Sequence, residues 1–453
     1  MLKLFKAPEK ILKYLLSAIL IFIPLYPKFP FIRIPGTYVS VRPEDFLIFF
    51  LFIFLAIIFF PRYKKIFSEK IENSILIYII VGLISLFSAV FVIKSVGVMI
   101  GTLHWARRIE YFIPFFAGVY ILKSKNSESL EFFIKILVVV TLLAFVYGLG
   151  QRYANWPVII TQNEEYAKGI ALRWIPGSHI NSTFAGHYDL ASFLVMTLPI
   201  FITSFFIFKE RKTRVILLMT VLAGLWLLIN AVSRISVISY LLSSCLALLL
   251  AKRYKAIPII VVASLIFFGL SSDLRARYFR VIEVTIGKVK QLILTQTFAV
   301  NAAEEIVRES PSPTPILVFE DRSTSIRLNV EWPRAIRAFF KNPILGTGFS
   351  SITLATDNDF LRLLGETGTL GFLAFVLILL HIGILIANNL SKISFGDDMK
   401  SAFMAGMVGA LPGILLNALF IDIFEASKFA IVFWLMAGFL VSLLRSSNYE
   451  QNT

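Results

Sequence analysis

Cysteine is nearly absent from this 453-residue chain. Cys245 stands alone in an apolar run, which excludes a disulfide framework or a cysteine-built metal site within one chain. Histidine is scarce, at 4 residues, and no carboxylate or histidine cluster reads as a set of metal ligands, so the expectation is no metal and no cofactor. Charge is thin as well: 16% of residues are charged and 57% hydrophobic, against about a quarter and a half in soluble domains. That balance excludes a soluble enzyme. Acidic residues are the scarcer sign, 28 against 44 basic ones. The net charge of +16 in so apolar a chain points to membrane surfaces and anionic lipid-linked ligands, not nucleic acid. No small-x-small cleavage site follows the first apolar stretch, Ile11 to Tyr26, which runs into Pro27, Lys28 and Pro30 and so reads as a retained anchor. No internal repeat is found.

What is present is a series of apolar runs near the ~20 residues needed to cross a bilayer. They lie at about 12 to 26, 46 to 60, 74 to 93, 109 to 122, 132 to 150, 190 to 208, 215 to 231, 235 to 251, 256 to 271, 360 to 387, 401 to 420 and 428 to 444. The expected fold is an all-α integral membrane protein of about twelve transmembrane helices. A cytoplasmic amino terminus puts Arg62, Lys64, Lys65, Lys123, Lys125, Lys209, Arg211, Lys212, Arg214, Lys252, Arg253, Lys255, Lys392, Lys400 and Arg445 on that same side, in keeping with the positive-inside rule. The carboxyl terminus is then cytoplasmic too. The predicted division is 1–271, nine helices with an outer loop at about 151–189; 272–356, a large extracytoplasmic loop; and 357–453, three helices and a tail. In the large loop, Arg275 to Val300 has the spacing of a helix lying on the membrane surface, and Glu309 to Pro315 reads as a proline-broken linker. Arg322 to Phe340 reads as a helix that Pro333 kinks or starts.

With this topology the inner side carries 16 Lys and 5 Arg, and the outer side 16 Arg and 7 Lys. Lysine suffices for topology, whereas the planar arginine fork suits bidentate grip on phosphate oxygens. An outward-facing phosphate site is therefore expected. The alternative is that these arginines pair with Asp273, Glu283, Glu320, Asp321 and Glu331 or touch headgroups. Arg234, at a two-residue outer turn in AVSRISVISY, is either a ligand or a snorkelling cation.

Four stretches resemble the O-antigen ligase and O-antigen polymerase superfamily of integral-membrane glycosyltransferases. They are VYGLGQ (Val146 to Gln151), NSTFAGHYDLASFL (Asn181 to Leu194), Ser233-Arg234, and RLNVEWPRAIRAFFKNPILGTGFSSI with DNDFLRLLGETGTLGFLAF (Arg327 to Phe375). In order, they cover roughly Val146 to Leu444. Two departures stand out. Ligase-type members usually carry histidine where this chain has Asp357, before Asn358, and an arginine common near the Ser-Thr-Phe segment is replaced by His179, the nearest arginine being Arg173.

The resemblance implies a GT-C-like architecture in the cytoplasmic (inner) membrane, its active site facing the periplasm or cell exterior. It implies transfer of a glycan from a polyprenyl-diphosphate carrier to an acceptor hydroxyl on a glycan, lipid or protein. By matching position, Arg173, Arg234, Arg322 and Arg327 would bind the diphosphate in place of a metal ion. Asp357, Asn358, Glu366 and His179 are the catalytic candidates, and His187 and Asp189 the sugar contacts. Each has a structural alternative: Asp357 as a helix cap, Glu366 as the partner of Arg362 four residues before it, His187 and Asp189 as surface polar ends. Gly365, Gly368 and Gly371 read as a packing stripe. His104 and His381 match no motif and are expected to be structural. A transporter or flippase of a lipid-linked or anionic substrate is the rival function; against it stand the large outer loop and the absence of repeats and of broken helices in corresponding halves.

The topology has a direct test. In a Cys245→Ser background, Ser312→Cys should react with an impermeant thiol reagent in intact cells; labelling only after lysis would reject the outer placement of the large loop.

Overall fold

The computed structural model describes residues 2–27, 29, 31–35, 37, 40–123, 127–159, 172–271, 322–353, 355–390 and 398–449, with isolated residues between 274 and 283. The expected surface helix at Arg275 to Val300 and the Glu309 to Pro315 linker fall almost wholly outside them.

Each of the twelve apolar runs lies in a helix. These are α1 (Leu2–Leu25), α2 (Pro43–Phe59), α3 (Lys70–Phe87), α4 (Val98–Ile121), α5 (Ser127–Tyr153), α6 (His187–Ile207), α7 (Arg211–Asn230), α8 (Arg234–Leu250) and α9 (Ala256–Leu270). After the large loop come α10 (Trp332–Lys341), which is not one of the twelve, then α11 (Asp359–Asn388), α12 (Met399–Ala418) and α13 (Ser427–Tyr449). Among the described residues eight helices are long and apolar enough to cross a membrane, and α8 and α9 are shorter apolar helices. The protein is thus an all-α integral membrane protein; a two-residue ribbon pairs Ile32–Arg33 with Ser40–Val41.

Burial separates the helices. The apolar window of α13 is 100% buried and that of α2 only 17%, so α13 is a core element and α2 a lipid-facing one. The main packing partners are α12 with α8 and α6, α13 with α4, and α11 with α3. Glycines allow these approaches. A Cβ on Gly438 of α13 would stand 2.3 Å from the Phe115 carbonyl of α4, and one on Gly409 of α12 would stand 2.4 Å from the Ala247 nitrogen of α8. Between apolar helices in lipid there is little hydrophobic driving force, so such backbone contact supplies the dispersion energy that holds them.

Arg322 to Lys341 is continuous helical chain, as the sequence predicts, and Pro333 marks the start of its last α-helical part, one of the two readings the sequence offered. Arg327–Glu331 forms a π-turn immediately before α10, whose Pro333 sits in its first turn. Proline lacks the N–H for an i−4 bond, and the wider turn carries the chain past that gap.

The largest departure from the sequence reading is in α11. Gly368 has φ 66° and ψ −170°, and the helix is broken there. The broken ends are satisfied by the preceding loop. Thr347 and Gly348 N–H groups donate to the Gly365 and Glu366 carbonyls at 3.0 and 2.7 Å, and Thr369 and Leu370 donate to Pro343 and Ile344 at 2.8 and 3.2 Å. Two glycines meet at the crossing: a Cβ on Gly346 or on Gly368 would lie 2.4 Å from the other strand's carbonyl group. Of the three glycines of the expected stripe, Gly365 approaches the Ala335 carbonyl of α10, Gly368 the Ile344–Gly346 backbone, and Gly371 the Thr367 side chain of its own helix. The sequence reading expected no broken helices in corresponding halves; α11 carries one break, at Gly368. Unlike the half-helices of transporters, this break is filled by the protein's own backbone.

Gly368→Ala should cost at least about 2 kcal/mol, because a positive φ and a backbone collision combine. Gly383→Ala on the same helix meets nothing within 4 Å and should change stability by less than about 0.5 kcal/mol. Thermal unfolding of both variants in detergent checks the contrast; equal melting temperatures would show that the break is not a fixed feature.

Candidate functional site

The start of α11 is fixed by an exchange of carboxylates between two loops. Asp422, in the α12–α13 connection, accepts from the backbone N–H groups of Thr356 and Asn358 at 2.7 and 3.0 Å. In return Asp359 accepts from the N–H groups of Ile423 and Phe424 at 2.8 and 3.1 Å. Helix ends leave such donors unsatisfied, and each loop supplies the charge that the other lacks.

Around this clasp is a buried ionic centre. Arg362 of α11 donates to Asp422 at 3.0 Å and to the Ile352 carbonyl at 2.9 Å, and its Nε lies 3.4 Å from Glu366 and 3.7 Å from Glu425. Arg108 of α4 pairs with Glu425, lies 3.9 Å from Glu366 and donates to the Phe424 carbonyl at 3.3 Å. Glu366 also accepts from the Ser350 N–H at 3.2 Å. Burial pushes the Glu425 carboxyl up, but Arg108 and Arg362 outweigh it and hold the group below its ordinary range. Glu366 is thus the structural partner of Arg362, as one of its two readings expected, and the network extends well beyond that pair.

Beside this centre lies a second, half-exposed patch. Arg327, on the π-turn, grips Asp357 through Nε at 2.9 Å and its terminal nitrogen at 2.8 Å, and donates to the Tyr188 hydroxyl at 3.3 Å. Tyr188 and His187 have ring centroids 4.0 Å apart with planes tilted by 36°, and His187 and His179 centroids 3.7 Å apart tilted by 35°. Asp357 has φ 49°, an uncommon conformation for a non-glycine residue and one found often at functional positions. Burial raises its carboxyl above the ordinary value, against the pull of Arg327. Glu331, one turn along from Arg327, is pushed up to about 7 by burial and by the Asp357 charge, and its Oε2 is buried without a hydrogen-bond partner.

The geometry sorts the sequence candidates. Arg327, Asp357, His187 and His179 come together in one patch. The cap of α11 is Asn358, whose Oδ1 accepts from Leu361 N–H at 2.9 Å; Asp357 is not the cap. Asp189 is buried in the first turn of α6, and Arg173 is exposed on the segment between α5 and α6. Arg234 opens α8, half-buried, its carbonyl accepting from the Tyr278 hydroxyl at 3.0 Å. Arg322 begins the helical turn before the π-turn, and its side chain lies outside the described residues. His381 bonds Ser74 of α3 at 2.7 Å, a helix-to-helix link, and His104 lies on α4 one turn from Arg108.

Asp357 and Asp359 have the Asp-x-Asp spacing, a cluster the sequence reading passed over. The chain turns between them, sending one to Arg327 and the other to backbone amides. Among the described residues no group of three or more His, Cys, Asp or Glu side chains is arranged to hold a metal ion. Sequence reasoning also missed Arg108, Asp422, Glu425 and Tyr188. Its available signal was Asp422 and Glu425 in FIDIFEASK, two acids in a short turn between apolar runs.

Residues 218–376 match the family described as O-antigen ligase. Over that segment, about a third of the chain, the protein is similar to the O-antigen ligase and polymerase superfamily. The matched segment runs from α7 to the middle of α11 and includes Arg234, the Arg327–Asp357 pair and the helix break. No curated protein matches the chain. Two O-antigen ligase-like stretches outside that segment are joined structurally. Gln151 closes VYGLGQ, and its amide nitrogen donates to Asn181 Oδ1 at 3.1 Å and the Ser182 carbonyl at 3.2 Å; its oxygen accepts from Ser182 N–H at 2.9 Å. Lys428 of α13 adds a buried ammonium that donates to Tyr26 and Thr183 carbonyls, both at 2.7 Å. The familiar motifs are thus in large part joints of the scaffold.

Removing Arg362 would strand Asp422 and Glu366 in the interior. Arg362→Ala should destabilise the protein by about 3–5 kcal/mol, the scale for breaking a buried charge pair, and lower its yield. Thermal unfolding measures this, and a loss under about 1 kcal/mol would mean that water or Arg108 replaces it.

Proposed function

We propose that this protein, as a member of the O-antigen ligase superfamily, transfers a glycan from a polyprenyl-diphosphate carrier to an acceptor hydroxyl on the non-cytoplasmic face. The observation carrying the proposal is the Arg327–Asp357 pair with Tyr188, set beside a rigid ionic centre. Departure of a diphosphate develops negative charge that preoriented donors must meet. Arg327 is held within reach of a second donor, the Tyr188 hydroxyl, and Arg234, Arg173 and Arg322 are the further outer arginines assigned to phosphate. The acceptor hydroxyl needs a base whose pKa lies near working pH. Asp357 takes that role once the diphosphate draws Arg327 away from it, and Glu331 is the second carboxyl of the same patch. The adjoining His187 and His179, with Asp189 behind them, orient sugar hydroxyls. Asn358 shapes the helix start, and Glu366 fixes Arg362 rather than touching the substrate.

Purified protein incubated with candidate polyprenyl-diphosphate oligosaccharides should extend or transfer the glycan. Transfer should persist in EDTA, the arginines supplying the charge; loss in EDTA restored by magnesium or manganese would overturn that mechanism. Asp357→Asn should lower the rate by roughly 10² to 10⁴, the scale of general-base catalysis. Arg327→Lys and Arg234→Lys keep the charge but lose the fork, so both should be slow while still folding.

Glu331 sets the pH dependence. Its folded value of about 7 lies above its value in the unfolded chain, so the native state holds the proton longer. Stability from this group is therefore full below the ordinary carboxyl range and declines as pH rises towards 7. The ionised form is the one that accepts a proton, so kcat/KM should rise with pH through about 7 and flatten in Glu331→Gln. An unchanged profile in that variant would leave Asp357 as the only carboxyl base.

A further inference from the structure

A cavity of about 820 Å³ opens at the opposite end of the bundle from the outer patch. The ends are opposite because the same helices reach both. On α4, Arg108 is at the ionic centre while Phe116 and Tyr120 line the cavity; on α13, Ser427 follows the clasp loop while Ser442 and Arg445 line the cavity. About fifteen residues of helix at 1.5 Å each separate the two levels on α13, some 22 Å. The cavity plays no part in the transfer chemistry proposed above.

Its walls are of two kinds. The inner wall is apolar and aromatic, formed by Ile58, Phe59, Ile66, Phe116, Val119 and Tyr120, with Phe59 and Tyr120 edge to face at 5.7 Å. The rim is cationic, from Arg62, Lys65 and Lys123, all exposed and, among the described residues, without an acidic partner. At the floor, Arg445 is neutralised: it binds Glu72 through two bonds of 2.6 and 2.8 Å, with Glu69 at 3.6 Å. The floor cation is taken and the rim cations are not, so the vacant charge lies at the mouth and the apolar surface beneath it.

That arrangement fits an amphiphile with an anionic head, not a free anion. An ionic ligand alone would leave the aromatic wall in water, and a neutral lipid would leave three cations unused. The volume falls within the range of about 300–1,000 Å³ usual for ligand pockets. We propose that the cavity binds an acidic glycerophospholipid of the adjoining leaflet, its phosphate held by Arg62, Lys65 and Lys123 and the start of an acyl chain lying along Phe59, Phe116 and Tyr120. The basic residues are those that the positive-inside rule assigns to the cytoplasmic face, where anionic lipids concentrate. A bound lipid would splint α2, α4 and α13, of which α2 has the least protein packing.

The test is lipid titration of the full-length protein in detergent by native mass spectrometry, comparing phosphatidylglycerol with phosphatidylcholine. Phosphatidylglycerol adducts should persist at activation energies that strip phosphatidylcholine. The triple change Arg62→Ala, Lys65→Ala, Lys123→Ala should weaken phosphatidylglycerol binding by at least about tenfold, each basic group near a lipid headgroup contributing favourably. All three side chains are exposed, so thermal unfolding without added lipid should match the parent. The control change Lys209→Ala, Arg211→Ala, Lys212→Ala, at exposed residues outside the cavity, should leave binding unaltered. Inorganic phosphate at millimolar concentration should not displace the lipid. Equal retention of both lipids, equal loss in the control triple, or displacement by phosphate alone would overturn the proposal. Glycan transfer is not the readout, so failure here leaves the transferase reading standing, and the reverse holds.

Discussion

The structure depends on one reciprocal exchange: Asp422 accepts from the backbone at the start of α11, and Asp359 at that start accepts from the backbone after Asp422. A carboxylate near hydrocarbon is costly unless every lone pair is met. Backbone amides meet Asp359 without a counter-ion, while Arg362 adds to the amides at Asp422 and, with Arg108, balances Glu366 and Glu425. The clasp therefore fixes three things together: where α11 begins, where α13 begins, and where the two arginines that touch both must sit. Asp357 leaves this region on a positive φ, which turns it away from the clasp and towards Arg327.

Charge at this end of the bundle is divided by burial. In the interior, Arg108 and Arg362 are each paired with carboxylates, and breaking such a buried pair is expensive. At the surface, Arg327 holds one carboxylate and one phenol, and Glu331 keeps a carboxyl oxygen without a hydrogen-bond partner. A site that must exchange ligands needs groups whose present partners are replaceable, and only the outer layer has them. The same division recurs at the other end, where Arg445 is saturated and its three basic neighbours are not.

Much of the fold was legible because hydrocarbon imposes a simple rule on sequence: apolar runs of sufficient length become helices, and all twelve did. Some residues of the candidate patch were legible too, since Arg327, Asp357 and His187 lie in segments whose residue order is itself distinctive and His179 stands just before one of them. What could not be read depends on pairings across long sequence separations. Nothing near Arg108 announces Glu425, more than three hundred residues away. Nor does the spacing of Gly365, Gly368 and Gly371 distinguish a packing stripe from a break, because both uses favour glycine and only the positive φ of Gly368 decides. Asp357 and Asn358 were ambiguous for a similar reason: either can cap a helix, and the choice was made by the arginine opposite.

The loop that fills the break in α11 precedes that helix in the chain. During synthesis, Pro343 to Gly348 leaves the ribosome before Gly365 to Leu370 does. When α11 enters the bilayer, the exposed carbonyls and amides at Gly368 already have their acceptors and donors waiting upstream in the same chain, so the interruption is mended without later helices. A helix with a mid-course gap would otherwise have to be stabilised by later segments, α12 or α13, and remain vulnerable to quality-control proteases until they arrived. The order of segments along the chain thus makes a discontinuous membrane helix assemble almost as simply as an unbroken one.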